Sequence, residues 1–162
     1  MRCLANLCVA LLFVAVSATT RAQEPFITVW KTDNEGPSGD DQITIPAEGE
    51  FTYTWVDTNN PASTGSGSGN DGTTITFPQA GTYEVRIVPT GSSPFNGIYF
   101  AAFVSGDKLK LLEIKNWGAI HWSEFAFGGC ANLSVTATDI PDLSGVTDLS
   151  FAFSYSGIDE IP

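Results

Sequence analysis

Short segments in which apolar residues alternate with threonine or charged residues dominate the sequence as far as residue 103, and glycine- or proline-rich turns separate them. The alternation directs one face of each segment to a core and the other to solvent. Several short strands at this spacing predict a mainly β fold, an antiparallel β-sandwich. The predicted strands span residues 26–30, 42–45, 50–56, 73–77, 82–88 and 97–100.

Residues 57–72 interrupt this pattern. They contain Asn59-Asn60-Pro61 and then a run of glycine, serine, asparagine and aspartate from Gly65 to Gly72, without a large aliphatic or aromatic side chain. A segment of this composition cannot bury itself. We therefore predict a mobile loop inserted between two strands.

Residues 1–22 have the pattern of a signal peptide. Basic Met1-Arg2 precedes an apolar run from Leu4 to Val16, and small residues follow. The run is shorter than the roughly 20 apolar residues of a membrane-spanning helix. We expect this segment to be removed and the mature chain to be secreted or held at the cell surface, with no transmembrane segment.

The exported part of the chain is strongly acidic. Of the seven basic residues, Arg2 and Arg21 lie in the predicted signal peptide, so five remain against 18 acidic ones. Nucleic acid is therefore a poor partner, because phosphate binding needs clustered lysine and arginine. Such a charge favours solubility in the open medium.

The acidic loops contain residues that could bind calcium as a cofactor. Four segments carry oxygen ligands beside glycine turns, as calcium sites do. Their spacing does not match an EF-hand loop, and solvated turns are the commoner explanation, so no cofactor is assigned. The segments are Asp33-Asn34-Glu35-Gly36, Gly39-Asp40-Asp41, Asp57 and Asn70-Asp71-Gly72.

At about Asp107 the alternating pattern of apolar and polar residues ends, and an internal repeat follows. Ile120 and Phe125-Ala126-Phe127 recur as Val146 and Phe151-Ala152-Phe153, an offset of 26 residues at each of the four matched positions. Repeats of this length form stacked units, none of which buries its apolar face alone.

Two segments of this region resemble the BspA-type leucine-rich-repeat surface proteins, whose repeats are 26 residues long. They are Gly129-Cys130-Ala131-Asn132-Leu133 and the stretch 137–149, which ends in Val146-Thr147-Asp148-Leu149. In the first region, Ala80-Gly81-Thr82-Tyr83-Glu84-Val85 is similar to a strand of polycystic-kidney-disease-type (PKD-like) domains, which often precede such arrays.

The two resemblances imply an immunoglobulin/PKD-like antiparallel β-sandwich over residues 24–105, followed by the first repeats of a leucine-rich solenoid over 106–162. They imply a bacterial-type cell-surface protein that contacts proteins or glycans. Solenoids need about three or more repeats and a cap, whereas this sequence ends in mid-pattern. We therefore expect an incomplete, C-terminally truncated fragment with an exposed apolar edge at its last repeat.

No residue is assigned a catalytic, cofactor-binding or metal-binding role. His121 is the only histidine and has no partner pattern around it, and Cys130 is the only cysteine outside the predicted signal peptide. Free cysteine usually acts as a small buried apolar group. Eighteen acidic residues guarantee accidental carboxylate pairs, so such pairs do not identify a glycosidase. We expect a non-catalytic adhesion protein.

Two other functions stay open. The chain could be a carbohydrate-binding accessory module of a larger secreted carbohydrate-active enzyme, in which case exposed coplanar tryptophans would stack on sugars. It could also be a calcium-dependent structural domain. The tryptophans are Trp30, Trp55, Trp117 and Trp122, and Asn132-Leu133-Ser134 fits an N-glycosylation acceptor.

Overall fold

The computed structural model describes residues 23–100 and 106–158, so the predicted signal peptide lies outside the described residues. These residues form eleven strands and no helix, so none of their segments is a helix able to cross a membrane. The prediction of a mainly β protein is confirmed. The strands are β1 (Phe26–Lys31), β2 (Gln42–Thr44), β3 (Ala47–Glu48), β4 (Phe51–Asp57), β5 (Thr64–Gly69), β6 (Thr74–Thr76), β7 (Thr82–Pro89), β8 (Gly97–Phe100), β9 (Leu111–Asn116), β10 (Glu124–Phe127) and β11 (Ser134–Val135).

The largest sheet contains six strands in the order β11-β9-β1-β7-β4-β5. All its neighbours are antiparallel except β11 and β9, which are parallel. Val85 lies opposite both Thr28 and Trp55, so these three side chains share the inner face. The intervening positions, such as Thr54 and Arg86, face outwards and are exposed.

Two smaller sheets, β10-β8-β3 and β2-β6, complete the fold. The ring centroids of Trp30 on β1 and Phe100 on β8 are 6.3 Å apart, and those of Phe51 on β4 and Phe95 are 5.7 Å apart. One buried cluster extends from Phe26 to Ala137. Several sheets therefore enclose a common apolar core, as expected for a β-sandwich.

Strand β9 extends the large sheet past residue 106, where the sequence places a domain boundary. It pairs with β1, with Val29 opposite Glu113. Its side chains Leu111 and Ile114 are fully buried in the same core. The sheet and the core are thus continuous across this position.

The prediction of a mobile loop over residues 57–72 is wrong for its central part, because Thr64–Gly69 forms edge strand β5. Gly65 lies opposite Trp55, and Gly67 lies opposite Tyr53. A Cβ atom at Gly65 would collide with the Trp55 ring, and one at Gly67 would lie 2.5 Å from the Tyr53 hydroxyl. The aromatic rings of β4 thus cover the glycines of β5, a known way to stabilise edge glycines.

The second half of the chain forms parallel pairs. Strand β10 lies parallel to β8, with Phe127 beside Phe100. On the other side, the Phe127 amide donates to the Ala152 carbonyl at 2.8 Å, and the Phe127 and Phe153 rings stack at 5.7 Å. The two copies of the 26-residue repeat are therefore hydrogen-bonded neighbours.

Candidate recognition surface

The four tryptophans do not form an exposed platform. Trp30, Trp117 and Trp122 are buried. Trp55 is half-buried and meets the rings of Phe77 and Tyr83 edge-on at 5.5 Å. Each indole thus packs within the protein, and stacking of a sugar on coplanar tryptophans gains no support.

The outer face of β4 and β5 carries hydroxyl groups. Thr54 and Ser66 lie side by side there, next to Arg86. The charged groups of this face already have partners, since the Glu84 carboxylate accepts from Arg86 and Lys115, each at 2.7 Å. Trp55 also lines this depression, but its ring packs edge-on against Phe77 and Tyr83.

His121 has two polar neighbours that the sequence around it does not indicate. Its Nδ1 lies 3.0 Å from Asp142 Oδ2 and 3.4 Å from Ser144 Oγ. The hydrogen bond with His121, together with those from Ser144, lowers the pKa of Asp142 to about 2. A catalytic triad needs the carboxylate and the hydroxyl at different ring nitrogens, whereas here both lie at Nδ1. The two partners lie 21 and 23 residues further along the chain, and the 26-residue repeat does not predict this contact.

Cys130 is fully buried, as expected of an apolar filler. Desolvation raises the pKa of its thiol to about 12, against a smaller opposing effect of Lys108. Because the thiolate is the reactive form of cysteine, this side chain is inert near neutral pH.

Carboxylates of the acidic loops accept hydrogen bonds from backbone amides of the protein. Asp57 accepts the amides of Asn59 and Asn60, and Asp71 accepts the amide of Gly49. Over residues 23–100 and 106–158, no group of three or more histidine, cysteine, aspartate or glutamate side chains is arranged to hold a metal ion.

A lysine ammonium lies among the oxygens of the loop that precedes β2. Lys110 is fully buried, and its Nζ donates to the carbonyls of Ser38, Gly39 and Gln42 and to the Ser38 hydroxyl at 2.8–3.1 Å. The buried Asp107 carboxylate is 3.9 Å away and accepts the amides of Ser38 and Thr44. The sequence Asp-Lys-Leu-Lys gave no sign of this cluster, because such a run normally lies in solvent.

Of the five large exposed apolar side chains in the described residues, three lie in the second repeat copy, and the other two are Tyr99 and Ile140. Leu149, Phe151 and Tyr155 are exposed by 53, 42 and 74%, where the sequence predicts an apolar edge. Tyr155 has a φ of 58°, the only positive value at a non-glycine residue in the described part of the chain. Backbone strain of this kind costs about 1–3 kcal/mol and clusters at ligand-binding positions.

A small cavity adjoins this edge. It has a volume of about 100 Å³, and Tyr99 of β8, which is 53% exposed, forms part of its wall. The other lining residues are Glu124, Phe125, Ala126, Asp148, Ser150 and Phe151. Strands β8 and β10 and the second repeat copy thus contribute to one surface, here called the repeat face.

Comparisons of the chain with protein-family models, with curated proteins and with solved structures each gave no match.

Proposed function

We propose that this chain is a secreted, non-catalytic cell-surface protein that recognises an extracellular protein or glycan through its repeat face. The observation that carries the proposal is the exposure of Leu149, Phe151 and Tyr155 on neighbouring turns of one repeat copy. Exposed apolar patches on an otherwise acidic surface mark interaction sites, and aromatic residues dominate the binding energy of interfaces.

The parallel stacking supports membership of the BspA-like leucine-rich-repeat class. Segment 97–100 pairs with 124–127, and the amides of Phe127 and Gly129 donate in turn to the carbonyls of Ala152 and Ser154. On the large sheet, β11 pairs parallel to β9. We therefore propose that these copies begin a leucine-rich solenoid, with an immunoglobulin- or PKD-like sandwich before it.

Two groups support a non-catalytic role. The imidazole of His121 has its hydroxyl and carboxylate neighbours at the same nitrogen, and the Cys130 thiol is buried. The alternative, a carbohydrate-binding accessory module, has less support, because three of the four indoles lie in the core. The fourth, that of Trp55, is half-buried and packs edge-on against Phe77 and Tyr83.

The test is a binding screen of the chain, without residues 1–22, against arrayed extracellular proteins and glycans. We expect Leu149→Ser with Tyr155→Ser to weaken the strongest interaction at least about thirtyfold, since truncating one interface hot spot costs about 2 kcal/mol. The matched control is Thr52→Ala with Thr54→Ala, two exposed positions on the outer face of β4. Equal affinity of both double variants, with melting temperatures unchanged, would contradict the proposal.

A further inference from the structure

The cavity between Tyr99 and Phe151 combines ring surfaces with acidic groups. Tyr99 is 53% and Phe151 42% exposed, so both rings remain accessible to a ligand. Ala126 lies beside Tyr99 in the parallel β8–β10 register and contributes only a methyl group to the lining. The result is a recess of about 100 Å³ lined by the exposed Tyr99 and Phe151 and by the buried Phe125.

Two carboxylates, Glu124 and Asp148, line the same recess and are exposed. None of the ion pairs within residues 23–100 and 106–158 includes either of them. Asp148 accepts the Ser150 amide and hydroxyl on Oδ1, and these bonds lower the pKa of Asp148. Asp148 is therefore ionised at neutral pH.

Aromatic ring faces and carboxylates both attract cations, so a cation is the ligand that suits both. The recess is much smaller than the roughly 300–1,000 Å³ of small-molecule sites, and it has room for the end of one side chain. We propose that it binds the ammonium or guanidinium group of a lysine or arginine in a basic protein segment. This inference rests on the proposed recognition function and names the chemistry of its partner.

The experiment is an NMR titration of the chain, labelled at tyrosine and phenylalanine rings, with the peptide acetyl-Gly-Lys-Gly-amide at low ionic strength. The comparison peptide carries norleucine, which has the same aliphatic chain without the ammonium. We expect saturable shifts of the Tyr99 and Phe151 signals with the lysine peptide alone. Equal shifts with both peptides, or no shift with either, would overturn the proposal.

Two variants separate the recess from the general acidity of the protein. We expect Glu124→Gln to weaken lysine-peptide binding by up to about fivefold, the upper end for one exposed ion pair. Glu35→Gln removes the same charge at an exposed position outside the recess and should leave the affinity unchanged. Equal weakening by both variants would show that only the overall charge matters and would refute a built site.

The result is also separable from that of the proposed function. Leu149 and Tyr155 lie outside the recess lining, so their double variant should still bind the lysine peptide. If that variant loses its extracellular partner and the unmodified chain does not bind the lysine peptide, the proposed recognition function is supported and the proposed cation site is refuted. If neither partner nor peptide binds, both fail.

Discussion

The two halves of the chain form sheets in opposite ways. In residues 23–100 every ladder is antiparallel, as in the pairing of β7 with β1 and β4. Strands β10 and β11 are instead added in parallel, to β8 and β9, although β9 itself pairs antiparallel with β1. The β8–β10 pair joins segments about one repeat apart. In the sequence, an antiparallel strand with one solvated face is recognised by the alternation of apolar and polar residues. Stacked copies are recognised only by the constant distance at which similar residues recur.

This difference has an energetic consequence. In the first half the strands support one another from both sides, because β7 lies between β1 and β4 in the large sheet. In the second half each copy depends on the next, since Phe127 is covered by Phe153 and its amide bonds to the adjacent copy. Stability in stacked repeats is approximately a sum of terms between neighbours.

The largest expected effect concerns Lys110, which joins the two halves. Lys110→Met removes the ammonium from the loop carbonyls and leaves Asp107 as an uncompensated buried carboxylate. We expect the free energy of unfolding to fall by about 3–5 kcal/mol, as when one partner of a buried pair is lost. Urea unfolding monitored by tryptophan fluorescence measures the loss.

Two further variants sharpen that result. Adding Asp107→Asn to Lys110→Met removes the stranded charge, so the double variant should be more stable than the single one. Lys31→Met deletes an exposed lysine that pairs with Asp33 and should barely change stability, because exposed pairs contribute little. If Lys110→Met were as mild as Lys31→Met, the two halves would not depend on this ammonium.

An intermediate effect is expected from Phe153→Ala in the stacked half. Phe153 is half-buried and stacks on Phe127, so we expect a loss of about 2 kcal/mol, roughly half that of a fully buried phenylalanine. Hydrogen exchange should accelerate at the amides of Phe127 and Gly129, which bond to the second copy. Equal acceleration at Val85 on β7 would show that the two halves open as one unit.

The smallest effect is expected at the glycine strand of the antiparallel half. Gly65→Ala places a methyl group against the Trp55 ring, and overpacking of this kind costs about 1–3 kcal/mol. We expect the lower end, because Trp55 is half-buried and can shift. Ser66→Ala changes the neighbouring residue on the opposite, exposed face and should be nearly neutral. Thermal melting of both variants tests whether the strand requires glycine.

The sequence predicts the antiparallel half well, because alternation records directly which face is buried. The predicted segments 26–30 and 82–88 correspond to Phe26–Lys31 and Thr82–Pro89. Strand β5 was missed because its buried face consists of glycines, and the apolar surface over them belongs to β4. The contact between His121 and Asp142 and the enclosure of Lys110 depend on tertiary packing, which local composition does not record.

The buried lysine also decides how the loop before β2 responds to its surroundings. Many loops rich in aspartate and glycine gain order by taking a cation from the medium, and they lose it when the ion is diluted or chelated. Here the chain supplies its own cation, attached through four methylene groups to residue 110. The order of the Ser38–Gln42 segment therefore depends on a residue of the chain and not on the ionic composition of the medium, so a chelator should leave this segment folded.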